Sequence, residues 1–177
     1  VLDFGQNMAG IIRFVNRLPK GKTIRIQTGE VLQGGNFYRD NLRTAKSEFV
    51  YTSDGETKEV EPFFTFFGFR YAKIEGPEAV DPVDFTAVCL SSDLKETLEV
   101  RTDHEKLNRL MMNSLWGQRS NFLDVPTDCP QRDERLGWTA DTQVFVNTAC
   151  YQMDCKVFYS KFMRDMRADQ TMYYGGD

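Results

Sequence analysis

No apolar run in this chain reaches the roughly 18 residues of a membrane-crossing helix, and its opening, "VLDFGQNMAG", has no basic region followed by an apolar stretch, so no signal peptide is visible. The chain opens without a methionine and reads as a piece cut at both ends. A surplus of positive charge is also missing. The formal net charge is -4 over 177 residues, without a basic stripe, which argues against nucleic acid and anionic membrane as partners. Cysteine is scarce and scattered (Cys89, Cys129, Cys150, Cys155), without the paired short spacings of a zinc site, and does not fix the redox compartment. There is no G-x-S-x-G elbow, no G-x-G-x-x-G and no P-loop, and no D-x-[DN]-x-[DN]-G calcium loop. The single histidine, His104, falls in the first turn of an expected helix and reads as a solvated or capping residue rather than a base. No metal and no cofactor is expected. Neither an internal repeat nor a low-complexity tract is present.

What is present divides into two halves. Hydrophobic residues make up 41% of the chain and aromatics 13%, enough for a core and suited to a β-rich one. "GIIRFVNRL" and "KTIRIQTGEVL" alternate apolar and polar residues across a turn at Pro19–Gly21. "SEFVYTSDGETKEVEPFFTFFGFRYAKIEG" predicts a strand, a turn at Asp54–Gly55 and two more strands punctuated by Gly68 and Gly76. "DPVDFTAVCLSS" predicts the last strand. Short strands with regular turns argue for an antiparallel sandwich. In "FFTFFGFRY" the alternation makes half of the aromatics core. From Asp93 the period becomes helical. Thr102 or Asp103 is expected to cap a helix carrying Leu107, Leu110, Met111, Ser114 and Leu115 on one face. A second helix is expected from Thr139 and a third from about Asp154, with Phe158, Phe162 and Met166 in one stripe. Three helices give one another only partial cover.

Between the first two helices lies "DVPTDCPQRDERLGWTADTQ", in which Asp128, Arg132, Asp133, Glu134, Arg135 and Asp141 share fourteen positions with Trp138. Pro130 and Gly137 argue against one continuous helix, so the segment must fold back to gather its acids. Crowded carboxylates that lose solvation beside a tryptophan rise toward the range of a general acid, while Arg132 or Arg135 could keep a neighbour ionised. One protonated acid among ionised ones is the asymmetry used in glycosidic bond cleavage. A tryptophan beside carboxylates also suits a sugar ring, with its apolar face and its hydroxyls. The same residues equally describe a salt-bridged surface loop, and Cys129 reads as packing.

"DVPTDCPQRDERLGWTADTQVF" resembles the signature of bacterial inverting α-L-rhamnosidases. "DFGQNMAG", "GEVLQGGNFYRDNLRTA" and "EPFFTFFGFRYAKIEG" resemble the β-sandwich domain that precedes that family's catalytic six-hairpin (α/α) barrel. The resemblance implies a β-sandwich domain over residues 1–93 and the truncated N-terminal part of the barrel over residues 94–177. It implies that Glu134 is the general acid, that Asp128, Arg132 and Asp141 bind the rhamnose hydroxyls, and that Trp138 lines the pocket, with Asp133 and Arg135 in supporting roles. Ala140 stands where the family usually has glycine, and Phe67 where it often has histidine. The second carboxylate, the base, would stand about 6.5–9.5 Å from the acid in an inverting enzyme, and the resemblance places it beyond this chain. The expected activity of the intact protein is removal of terminal α-L-rhamnose, with the 177 residues inactive alone. A rhamnose-containing glycoside or polysaccharide is the expected partner. The alternatives are an (α/α)-barrel glycosidase for another terminal sugar and a non-catalytic carbohydrate-binding module. Aglycone, linkage, compartment and oligomeric state are not written in the sequence.

Overall fold

The computed structural model describes residues 1–76 and 80–176. They form two compact units: Val1–Leu90 with Cys129–Arg135, and Ser91–Asp128 with Leu136 onward. The first is built on β1 (Leu2–Asn16), β2 (Thr23–Gly29), β3 (Val31–Gln33), β4 (Asn36–Tyr38), β5 (Glu48–Thr52), β6 (Lys58–Val60), β7 (Phe67–Glu75) and β8 (Phe85–Cys89). The principal sheet is antiparallel, with β5, β2, β7 and β1 side by side. Along one edge β1 pairs first with β7 and then, from Phe14 to Asn16, with β6; its other edge pairs with β8 from Gly10 to Phe14. The ribbon β3–β4 stands apart from this sheet.

The alternation expected from "KTIRIQTG" appears as Ile24 and Ile26 turned into the core with Ile12, Phe14, Phe67, Phe69, Ala72 and Phe85. Phe14 stacks on Phe85 with ring centroids 5.6 Å apart, and Tyr51 meets Phe14 edge-on. Two strand boundaries differ from the sequence reading. β1 begins at Leu2, because its pairing with β7 absorbs an irregularity between Asp3 and Met8 that hides the alternation. Gly68 lies within β7 and does not end a strand. In the aromatic string, Phe67 and Phe69 are core, whereas Phe63 and Phe64 are exposed. Phe69 is fully buried, with Phe4 edge-on at 5.7 Å. Phe69→Ala is therefore expected to cost about 3–5 kcal/mol, read as a lower denaturant midpoint; a midpoint within error of wild type would refute this core.

The second unit holds α1 (Glu105–Asn121), a two-residue hairpin of β9 (Phe122–Leu123) and β10 (Val125–Pro126), α2 (Thr139–Gln152) and α3 (Lys156–Tyr174). The cap of α1 is neither Thr102 nor Asp103. His104 fills that position, its Nδ1 accepting from the Leu107 amide at 3.4 Å, while the Thr102 hydroxyl accepts from the His104 amide. Leu107 and Leu110 are exposed, and the buried contribution of α1 comes from Gln118 and Ser120 near its end. Phe122 is the centre of the packing, stacked on Phe158 at 4.5 Å and met edge-on by Phe145 and Tyr159. Beneath it the Gln118 amide donates to the Ala149 carbonyl and accepts from Gln152. Buried amides satisfied in this way lock a helix register, since losing one partner strands the other. All four cysteines are free thiols, and burial pushes Cys155 up to about 11. Among the described residues no helix is long and apolar enough to cross a membrane.

Candidate active site

The acid-rich segment leaves α1 through the β9–β10 hairpin, where the Thr127 amide and hydroxyl both donate to the Asn121 carbonyl. Two hydrogen bonds then close a neck: the Asp128 amide to the Leu136 carbonyl at 3.0 Å, and the Leu136 amide to Asp128 Oδ1 at 2.9 Å. Residues 129–135 form a closed excursion between these ends. Past the neck, Gly137 lies so close to the Phe162 ring that a Cβ there would stand 2.8 Å from it. Asp141 follows in the first turn of α2, a position where the helix dipole favours a carboxylate.

The excursion packs with the sheet unit. Gln131 crosses directly over Gly68 of β7, where a Cβ would stand 2.8 Å from the Gln131 backbone nitrogen and Cα. Arg135 takes a positive φ of 52°, its guanidinium lying 4.3 Å over the Phe66 ring and donating to the Phe66 carbonyl at 2.9 Å. Burial pushes that guanidinium below its ordinary value. Among the described residues Arg135 pairs with no carboxylate, so it does not play the charge-holding part that the sequence left open for it. Arg132 does meet a carboxylate: it lies 2.9 Å from Glu134 Oε2, and its Nε donates to the Cys129 sulfur. Cys129 is buried, as a packing residue is.

Two further partners come from residues 39–47. Arg43 donates to Glu134 Oε2 at 2.9 Å, and the Thr44 hydroxyl donates to Asp133 Oδ2. The Thr44 bond, more than the arginines around it, holds the Asp133 carboxyl below its usual range. Neither Arg43 nor Thr44 is marked by the sequence reading. The available signal was an arginine and a threonine adjoining within "NLRTA", in the stretch that carries the family resemblance.

The remaining predicted residues belong to the helical unit. Asp128 and Asp141 both line a cavity of about 610 Å³ among Asn121, Phe122, Phe145 and Tyr159. Trp138 stands at the start of α2, half-exposed, and is not among that cavity's lining residues. The structure thus brings Asp128 together with Asp141, and Arg132 together with Glu134. Polar edges beside an aromatic and aliphatic wall give the cavity a surface for a ligand that is hydroxylated on one side and apolar on another.

Comparison with known proteins agrees with both units. Residues 1–91 match the family model described as the bacterial alpha-L-rhamnosidase concanavalin-like domain, and residues 95–175 the bacterial alpha-L-rhamnosidase 6 hairpin glycosidase domain. The sheet unit and the three helices that follow are those of a multidomain glycosidase family: a β-sandwich-like domain followed by the start of a six-hairpin domain. The chain belongs to the bacterial alpha-L-rhamnosidase family. It is 44% identical to an alpha-L-rhamnosidase of Streptomyces avermitilis over 97% of its length, and 41% identical to one of Formosa agariphila over 96%. A crystal structure of the Streptomyces avermitilis enzyme complexed with L-rhamnose superposes with a TM-score of 0.92 at 43% identity, covering 96% of this chain and 17% of that one. An alpha-L-rhamnosidase from Aspergillus terreus gives a TM-score of 0.92 at 40% identity, covering 97% of this chain and 20% of that one. The chain spans 17% and 19% of the length of the first two relatives.

Proposed function

We propose that the full-length protein is a glycoside hydrolase that removes terminal α-L-rhamnose with inversion. Residues 1–93 would then be its β-sandwich domain and residues 94–177 the opening of its (α/α) barrel. The carrying observation is the cavity of the helical unit, where Asp128 and Asp141 meet the wall of Phe122 and Phe145. A 6-deoxy sugar needs acceptors for its hydroxyls and an apolar surface for its methyl group, and this lining offers both. Asp128 and Asp141 accept from sugar hydroxyls, Arg132 donates to one, and Trp138, outside the lining of the cavity itself, is assigned the apolar face or 6-methyl group of the sugar. Glu134 protonates the departing glycosidic oxygen as its bond to the anomeric carbon breaks. The carboxylate that takes a proton from the attacking water lies outside these residues. Rhamnose-containing glycosides or polysaccharides are the substrates, and no cofactor takes part.

Hydrolysis of p-nitrophenyl α-L-rhamnoside by the full-length protein, followed by NMR of the first-formed anomer, tests this reading. Net inversion is expected. Asp141→Asn is expected to raise KM by about 10-fold or more, the scale of one lost charged hydrogen bond. Retention at the anomeric carbon would remove the two-carboxylate water mechanism. Turnover of a different aryl glycoside with none of the rhamnoside would leave a barrel glycosidase for another sugar. Binding of rhamnose without turnover of any glycoside would leave the carbohydrate-binding module.

A further inference from the structure

Glu134 is held by the sheet unit through more than its own loop. Two guanidiniums meet at one of its oxygens, Arg132 from the excursion and Arg43 from residues 39–47, each 2.9 Å from Oε2. The Arg43 segment is itself fixed. Leu42, which is 1% exposed, anchors the 3₁₀ turn Asp40–Leu42. On the other side of Arg43, the Ala45 amide donates to the Leu42 carbonyl and the Ser47 carbonyl accepts from the Thr28 amide. Arg43 has a φ of 55°, a conformation that a non-glycine residue keeps only where its surroundings impose it. Next to it Thr44 ties down Asp133, the residue preceding Glu134.

We propose that Arg43 is a positioning residue for the general acid: with Arg132 it holds Glu134 Oε2 and so fixes the orientation of the carboxyl that gives up the proton. This rests on the reading of Glu134 as the acid. A carboxyl that turns freely offers either oxygen in many orientations. One with Oε2 held by two guanidiniums from different segments, and its neighbouring residue held by Thr44, is kept in one orientation. Proton transfer depends on such alignment, because the donor must lie within hydrogen-bond reach of the leaving oxygen as its bond breaks. Among the charged or titratable groups around Glu134 are Asp133, which Thr44 engages, and Cys129, whose sulfur lies within 4.8 Å of the Glu134 carboxylate.

The test compares wild-type full-length protein, Arg43→Ala, Arg43→Lys and Glu134→Gln on two substrates: p-nitrophenyl α-L-rhamnoside and an alkyl α-L-rhamnoside, whose leaving alkoxide must be protonated. Arg43→Ala is expected to lower kcat on the alkyl rhamnoside by about 10–100-fold and by clearly less on the aryl one. KM should stay nearly constant and the thermal midpoint unchanged. Arg43→Lys should recover part of the loss, as a single point charge without the planar fork. Arg43→Ala losses equal on both substrates, or no loss, overturn the proposal while a Glu134→Gln defect leaves the acid assignment standing. If Glu134→Gln itself has no effect on either substrate, the acid assignment falls and the proposal with it. Should Arg43→Ala lower the thermal midpoint, Thr44→Val in its place, with the same leaving-group comparison, decides whether orientation or folding was lost.

Discussion

Glu134→Gln in the full-length protein is expected to lower turnover of an alkyl or disaccharide rhamnoside by about 10²–10⁴-fold, the span of a positioned general acid. Glutamine has nearly the same shape and can still meet the guanidiniums of Arg43 and Arg132 through its carbonyl oxygen, so the loop stays in place. What it lacks is a proton to give. The p-nitrophenyl rhamnoside should suffer far less, because nitrophenolate departs as a stable anion. Binding of rhamnose should be retained within a few-fold. Equal losses on both kinds of leaving group would falsify the general-acid role.

The second large effect is expected at a glycine. Gly68→Ala places a methyl group 2.8 Å from the Gln131 backbone nitrogen and Cα. No rotamer of Gln131 relieves a collision with its own main chain, so the excursion must lift away from β7. A displacement on the order of 1 Å at a catalytic group costs about 10²-fold. Because Glu134 follows Gln131 by three residues, Gly68→Ala should lower kcat by about that factor. Gly76→Ala supplies the comparison, since among the described residues a Cβ there meets only Ile24 Cγ1, at an ordinary 3.7 Å. Its activity should match wild type. A Gly68→Ala enzyme with wild-type kcat would show that the excursion does not depend on that close approach.

Gly68 also shows where reading the sequence stops working. A glycine within a strand pattern signals a strand end, a bulge or a close backbone approach, and nothing local separates the three. Only the arrival of Gln131, sixty-three positions later, decides for the last. The helices were more legible. Phe158 and Phe162 fall four apart and both are buried, and Thr139 opens α2 where expected. Thr102 and Asp103 were the wrong caps for α1, while the reading of His104 as a capping residue holds: all three can accept a hydrogen bond, and the geometry of the turn selects the last. In the candidate site, the motif itself was written in one stretch. Its partners were not, because Arg43 lies ninety-one positions from Glu134 and a long-range ion pair leaves no periodic trace.

The neck at Asp128 and Leu136 carries a consequence for how this region can change. Its two hydrogen bonds fix both ends of residues 129–135 to each other, and one of them is purely main chain. The entry and exit points are therefore tied together without recourse to the seven intervening side chains. The excursion behaves as an exchangeable cassette: its contents can be rewritten, by selection or by design, while the entry and exit points stay where they are. Within such a cassette a changed side chain requires only local refitting against β7 and the Arg43 turn.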